Sequence, residues 1–286
     1  MPEIQNIATA AIDPDSTVNV RREKVNVNEA VATVKLSIAK NGYWSSSPIT
    51  IRPHPDQASP FKYENVVGQS RLRACLELGR ETIPAVVQDL DDDAAIQQSW
   101  SENEFSTSLT ISDKAYWFRK ISLRCAEEGR PIADARKITA AFFNCSEQKV
   151  IAHLPLTGLP EEAKTMLDEG RLQIQDATVV AKHTYNPKHP AESEQKIMER
   201  VEWIMGLNVD ERKAARKVIP KLGPEAPIDQ LATVVERELG TDIIKISLPK
   251  EFHQRLIDWG NERGLIGASQ SVIISRMITE TLPKSE

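Results

Sequence analysis

The stretch Glu64-Asn65-Val66-Val67-Gly68-Gln69-Ser70-Arg71-Leu72-Arg73-Ala74-Cys75-Leu76-Glu77-Leu78-Gly79 reads as a strand, a glycine turn and a helix. Val66 and Val67 are β-branched, Leu72, Cys75, Leu76 and Leu78 recur at roughly helical spacing, and Gly79 can end the helix at positive φ. The N–H groups of a helix's first turn have no intrahelical partner and sit at the positive end of its dipole. Such a turn is a ready anion site, to which Arg71 and Arg73 add charge. The same residues equally describe a plain strand-to-helix joint with two solvated arginines.

Working outward, Asn28 to Asn41 reads as a helix led by Asn26 or Asn28 and ended by Asn41-Gly42. Pro48 to Pro53 and Tyr63 to Val67 read as strands, and Ile83 to Gln88 as a third. The order helix, strand, strand, helix, strand predicts a small α+β domain over residues 1–106. Residues 1 to about 20 alternate loosely around the turn Asp13-Pro14-Asp15 and read as a partly ordered arm. Asp91, Asp92 and Asp93 suit the N-terminus of a helix from about Ala94 to Glu104, and their spacing does not match a Ca²⁺ loop.

From Thr107 onward the pattern is helical. One helix follows Ser112 as N-cap and stops at Gly129-Arg130-Pro131; a second runs from Ala133 to Phe143; a third opens at Ser146 after Asn144-Cys145. The last two match a helix-turn-helix, and periodicity alone would equally describe two ordinary packed helices. Further helices begin after Pro160 and at Ile174. Tyr185 to Pro190 and Leu222 to Pro227 read as boundaries. Between them Arg212, Lys213, Arg216 and Lys217 line one face at i, i+4 spacing, either solvated or phosphate-contacting. Ile244, Ile246 and Leu248 alternate as a short strand, followed by a helix with Phe252, Leu256, Ile257 and Trp259 inward and a last helix from Ser269 or Ser271. So small a unit should dimerise.

Composition narrows the classes. A net charge of −5 over 286 residues rules out a global polycation, so nucleic-acid binding requires local patches. Residues 107–222 carry 19 Lys+Arg against 16 Asp+Glu, whereas residues 1–106 carry 10 against 15, so the middle is the more basic part. Cys75, Cys125 and Cys145 form no C-x-x-C pair, which argues against a disulfide framework and a zinc site. No run of eighteen apolar residues and no basic-then-apolar leader is present. A cytoplasmic protein without a membrane span is expected.

Taken together, Ser37-Ile38-Ala39-Lys40-Asn41-Gly42, Pro48 to Pro53, Val66 to Ala74, Ile83 to Val87 and Glu102-Asn103 resemble the N-terminal domain of ParB-family DNA-partition proteins. The helix-turn-helix and the segment Leu159 to Leu172 resemble that family's central domain in the same order, so the likeness covers about residues 12–182. The implied architecture is an α+β nucleotide-binding domain (1–106), an all-α helix-turn-helix DNA-binding domain (107–185), a helical linker region (186–240) and a strand-helix-helix dimer unit (241–286). That last unit resembles ribbon-helix-helix proteins, and its role is either dimerisation alone or dimerisation with DNA contact.

The resemblance implies CTP with Mg²⁺ as ligands. Gly68, Gln69, Ser70 and Arg71 would cradle the triphosphate, Asn103 would approach the nucleotide, Glu102 the metal, and Pro48 the base-and-ribose side. It further implies double-stranded DNA read by Gln148 and Lys149, with Lys245 and Ser247 in the groove and Ser269 to Ser271 at a phosphate. A homodimer, and a partition motor ATPase contacting the N-terminal arm, are the implied protein partners. The family usually has Gly-Glu-Arg-Arg where this chain has Gly-Gln-Ser-Arg, and an arginine where Ser106 stands. Those changes weaken hydrolysis more than binding, because hydrolysis must stabilise additional transition-state charge. A weak CTPase stays open. Plasmid or mobile-element segregation is the function expected; a transcriptional regulator lacking the switch and a nuclease-like enzyme are the alternatives.

Overall fold

The computed structural model describes residues 3–21, 25–43, 46–106, 109–186, 190–239 and 250–262, together with Ile274. Five strands, β1 (Ile4–Ala8), β2 (Ile12–Asp13), β3 (Ile49–Pro53), β4 (Tyr63–Val67) and β5 (Thr82–Val87), form one mixed sheet in the order β1-β5-β3-β4-β2. β1 runs antiparallel to β5, with Ile7 opposite Ile83, β3 runs parallel to β5, and β4 is antiparallel to β3 with a register shift between Thr50 and Ile51. The N-terminal residues expected to form an arm are therefore an edge strand. Their hydrogen-bonding partner lies more than seventy residues away in sequence, so local alternation could not reveal it.

Helices α1 (Val25–Asn41) and α2 (Gln69–Glu77) pack against each other and against this sheet. Val31 and Ile38 of α1 and Leu72, Ala74 and Cys75 of α2 share a core with Ile49, Ile51, Ile83 and Ala85. α1 begins at Val25, so Asn26 and Asn28 lie inside the helix and neither is its N-cap. α3 (Asp92–Ser106) starts behind Asp91, whose Oδ1 accepts from the Ala94 N–H at 2.8 Å. Asp92 pairs with Arg52 at 2.7 Å and Asp93 with Arg124. The three aspartates thus form a cap and two ion pairs.

The chain continues as α4 (Ile111–Glu127), α5 (Ile132–Phe142), α6 (Glu147–His153), a 3-10 turn (Leu154–Gly158), α7 (Glu161–Asp168) and α8 (Ile174–Thr184). Thr110, not Ser112, caps α4: its side chain accepts from Asp113 N, while Ser112 donates from Oγ to Asp168 at 2.5 Å and so ties α4 to α7. Between α5 and α6, Asn144 adopts φ 48°, and Ser146 caps α6 by accepting from the Lys149 N–H. One core runs through both halves: Val18, Val20, Val66, Val67 and Trp100 pack with Trp117, Phe118, Ile121, Phe143 and Val150. The rings of Trp100, Phe118 and Phe143 lie 4.2 to 5.4 Å apart by centroid, a spacing of favourable tilted aromatic contacts. The strand that delivers the glycine turn and the helix pair α5–α6 are therefore held by the same side chains.

α9 (Pro190–Met205), α10 (Val209–Leu222) and α11 (Ile228–Glu238) follow, and Ile197, Val201, Ala215, Val218 and Leu231 share a core with Leu167 and Val180. The basic face expected on α10 is not simply solvated. Arg216 reaches Asp176 at 2.7 Å and Arg212 approaches the same carboxylate at 3.8 Å, Asp176 being 1 % exposed at the first turn of α8. Arg212 also donates to the carbonyls of Met205 and Leu207.

The chain divides into two compact units, Met1–Val235 and Glu236–Glu286. In the second, α12 (Lys250–Glu262) buries Leu256, whereas Ile257, expected inward, lies on the exposed side. The expected strand from Ile244 to Leu248 and, apart from Ile274, the last helix of the ribbon-helix-helix unit lie outside the described residues, as do Lys245, Ser247, Ser269 and Ser271.

Candidate functional site

Gly68 enters α2 at φ 98°. A Cβ built there would stand 2.6 Å from Ile49 Cγ2 and 3.2 Å from the Arg71 guanidinium, so this position needs both the left-handed backbone and the missing side chain. Gly68→Ala is expected to cost about 2–4 kcal/mol, the sum of left-handed strain and overpacking. Gly79→Ala, at φ 65° with nothing within 4 Å, is expected to cost only about 1 kcal/mol. Urea titrations of the two variants check the contrast, and equal losses would remove the steric argument.

The turn opens onto a cleft of about 230 Å³ in which α2 supplies Gln69, Ser70 and Arg71 and the last turns of α3 supply Glu102 and Asn103. Six of the sequence-predicted residues, Gly68, Gln69, Ser70, Arg71, Glu102 and Asn103, thus line one cleft. Two further polar lining residues, Asn19 and Arg21, were not anticipated. Val18, Asn19 and Val20 are all buried, at 2 %, 8 % and 0 % exposed, so no inside–outside alternation singled Asn19 out.

Pro48 enters the site indirectly. Arg71 Nη1 donates to the carbonyls of Ser47 at 2.8 Å and Pro48 at 3.0 Å, and its Nη2 is 3.9 Å from Glu102. Asn103 is buried and donates to Ser99 O at 2.8 Å. The buried Ser70 Oγ and Gln69 Oε1 have no hydrogen-bond partner among the described residues. Orphaned polar atoms beside a glycine turn are what a polar ligand would satisfy.

A second cleft of about 400 Å³ adjoins the first through Asn19, Arg21 and Gln69 and adds Arg73 and Lys120. Its carboxylate, Asp15, pairs with Arg73 at 2.8 Å. Lys120 Nζ sits 4.4 Å from the centre of the Trp117 ring, and burial pushes its pKa down against the pull of Asp92. The surface around the glycine turn is therefore cationic and suited to a polyanion.

The far wall is rigidly built. Glu64 accepts from Ser16 Oγ, Thr17 N and Thr17 Oγ1, Val20 N–H donates to Ser99 Oγ, and Trp117 Nε1 donates to Val20 O.

For Mg²⁺ the fit is a shared one. Among the described residues no group of three or more His, Cys, Asp or Glu side chains could hold a metal ion. Mg²⁺ is commonly bound by one or two carboxylates completed by phosphate oxygens and water, and Glu102 is the carboxylate lining this cleft. On the second predicted surface, Gln148 is exposed, whereas Lys149 is turned to Glu104 at 3.3 Å.

Residues 1–104 match the family model for the ParB N-terminal domain. Residues 1–104 are therefore a ParB N-terminal domain. A chromosome-partitioning protein ParB of Caulobacter vibrioides is 27% identical over 175 residues, 61% of this chain and 52% of that protein. A nucleoid occlusion protein of Bacillus mycoides is 25% identical over 248 residues, 86% of this chain and 78% of the relative. The chain spans about half the length of the ParB partitioning relatives it matches. Among solved structures, C-terminally truncated ParB of Caulobacter crescentus complexed to the centromeric parS site aligns at TM-score 0.43 and 22% identity, over 78% of this chain and 100% of that chain. No described helix is long and apolar enough to cross a membrane.

Proposed function

We propose that this chain, which carries a ParB N-terminal domain, is a site-specific DNA-binding protein of the partition type that holds CTP with Mg²⁺ at the Gly68 turn. The observation that carries the reading is the convergence of Gly68 to Arg71 and Glu102-Asn103 on one cleft beside orphaned polar atoms, within a ParB N-terminal domain. In this reading the first-turn N–H groups of α2 and the guanidinium groups of Arg71 and Arg21 bind phosphate oxygens, and Arg73 and Lys120 extend the cationic surface beyond them. Glu102 would contribute the protein's carboxylate to Mg²⁺, which supplies charge neutralisation at the phosphates. Asn103 is held by the Ser99 carbonyl and presents a fixed amide.

Gln148 and the surface around α6 would meet double-stranded DNA, and the unit from Glu236 onward would supply a homodimer contact, with Lys245, Ser247, Ser269 and Ser271 as its DNA-facing residues. A partition motor ATPase and a plasmid or mobile-element setting complete the proposal, with weak CTPase activity left to measurement. A second reading draws on the longer match to the nucleoid occlusion relative: a DNA binder on the same scaffold whose task is not segregation.

Titration calorimetry with CTP, and with ATP, GTP and UTP as controls, in Mg²⁺ tests the site. Selective CTP binding that weakens at least about tenfold in Arg71→Ala, a loss of about 1.4 kcal/mol, is the expected result. Absence of binding to any of the four would move the chain to the second reading, which chromatin-scale mapping of its DNA sites then examines: a clustered repeat for partition, dispersed sites otherwise.

A further inference from the structure

Three elements meet at one carboxylate. Glu104, on the last turn of α3, accepts from Lys114 Nζ of α4 at 3.2 Å and from Lys149 Nζ of α6 at 3.3 Å, both through Oε1. Its Oε2 lies a further 2.9 Å from the Lys114 ammonium as an ion pair. Burial alone would raise the pKa of Glu104, but the two lysines outweigh it and hold the group below the ordinary carboxylate value. Two positive charges thus share one negative charge. The neighbouring His153 adds no cation at neutral pH, because burial pushes its pKa down.

We propose that Lys114 and Lys149 form a binding site for a DNA phosphodiester, and that Glu104 occupies it as an internal stand-in for the phosphate. A carboxylate and a phosphodiester present the same chemistry to two ammonium groups: one unit of negative charge spread over two oxygens. Lys149 is the recognition-helix residue expected to read bases, yet its side chain is folded back beside Lys114 while Gln148, next to it, stays exposed. The cluster is open enough to exchange partners, with side-chain exposures of 15% for Lys114, 33% for Lys149 and 34% for Glu104. Its position matters as well. Glu104 follows directly on Glu102 and Asn103, so the latch is part of the same helical turn that closes the candidate nucleotide cleft. DNA binding must break the pairs to Glu104 before the lysines reach phosphate. This inference rests on the DNA-binding reading above.

The test is fluorescence anisotropy of a labelled mixed-sequence DNA duplex with the full chain, over a salt series, comparing wild type with Glu104→Gln. The variant is expected to bind about 3–10-fold tighter, with a salt slope steeper by one to two, since each phosphate contact contributes about 0.9. Lys149→Gln is expected to weaken binding by a larger factor in the Glu104→Gln background than in wild type, where the lost contact is partly offset by an ion pair that no longer has to break. Glu104→Asp, which keeps the charge and shortens the reach, falls between and serves if Glu104→Gln melts early.

Equal affinity and slope in wild type and both Glu104 variants, with wild type binding DNA, would overturn the latch alone. Binding by Glu104→Gln when wild type does not bind would establish it outright. Failure of every protein to bind would overturn the latch together with the DNA-binding reading, leaving the nucleotide site to calorimetry.

Discussion

Arg200→Met is expected to destabilise the first compact unit by about 3–5 kcal/mol, because several buried acceptors lose their donor at once and each unsatisfied group costs about 1–3 kcal/mol. Arg200 lies on α9 at 2 % exposure. Its Nη1 donates to Thr184 Oγ1 at 2.9 Å and approaches His183 O at 3.4 Å; its Nη2 donates to the carbonyls of Gly223, Pro224 and Ala226 at 2.9 to 3.1 Å. Those groups sit at the C-terminal ends of α8 and α10 and in the loop to α11, where helix carbonyls have no intrahelical donor and a cation is favoured. Burial lowers the pKa of Arg200, yet a guanidinium stays charged in any protein interior. Arg200→Lys should recover only part of the loss, since a single ammonium cannot span both helix ends as the planar fork does. Guanidinium chloride unfolding followed by circular dichroism measures it. A loss under about 1 kcal/mol for Arg200→Met would mean that water replaces the arginine at these carbonyls.

The sequence could not have pointed to Arg200. Read along α9 it is one charged residue among several on an amphipathic helix, and its role depends on three segments that periodicity cannot bring together. The same limit explains the sheet. Strands β3, β4 and β5 were legible because they are short β-branched runs bounded by turns, and the Gly68 turn because a glycine between a valine pair and a helical pattern has few other uses. β1 was not, since Ile4 to Ala8 is largely exposed and its identity as a strand comes from pairing with β5.

At the cleft, Gly68 to Arg71 and Glu102-Asn103 came from a family likeness in contiguous motifs. Asn19 and Arg21 belong to a segment that looked like an arm because its ordering comes from Glu64, Ser99 and Trp117 on three other elements. Local chemistry also misplaced the α4 cap: Ser112 and Thr110 are both competent, and Asp168, far along the chain, decides between them by engaging Ser112.

Glu64→Ala is expected to cost about 3–5 kcal/mol, the range for leaving a buried charge without its partner, and to weaken the proposed nucleotide binding as well. Glu64 is 1 % exposed and Arg52 2 %; the guanidinium reaches Glu64 Oε2 through Nε at 2.8 Å and Nη2 at 2.6 Å. Without Glu64, Arg52 keeps Leu90 O and Asp92, and the latter is too exposed to offset the desolvation of a guanidinium inside the sheet. Burial alone would raise the pKa of Glu64, but the hydrogen bonds from Arg52 and Ser16 prevail and lower it.

A carboxyl depressed in the folded state contributes stability that is fully present above its unfolded pKa of about 4.5 and is lost as pH falls through the folded value. Wild type should therefore lose melting temperature below about pH 4.5 more steeply than Glu64→Gln, which keeps the shape and lacks the titration. The effect on the site follows from the same oxygens. Glu64 Oε1 holds Ser16 and Thr17, which lead into Asn19 and Arg21, so removing it frees the wall of the cleft even where the fold survives. Calorimetry on Glu64→Gln at neutral pH, paired with a thermal melt in the same buffer, separates the two consequences. Weakened CTP binding in a protein that still melts cooperatively would assign the buried pair a positioning role at the site, and unchanged binding would confine it to holding the sheet.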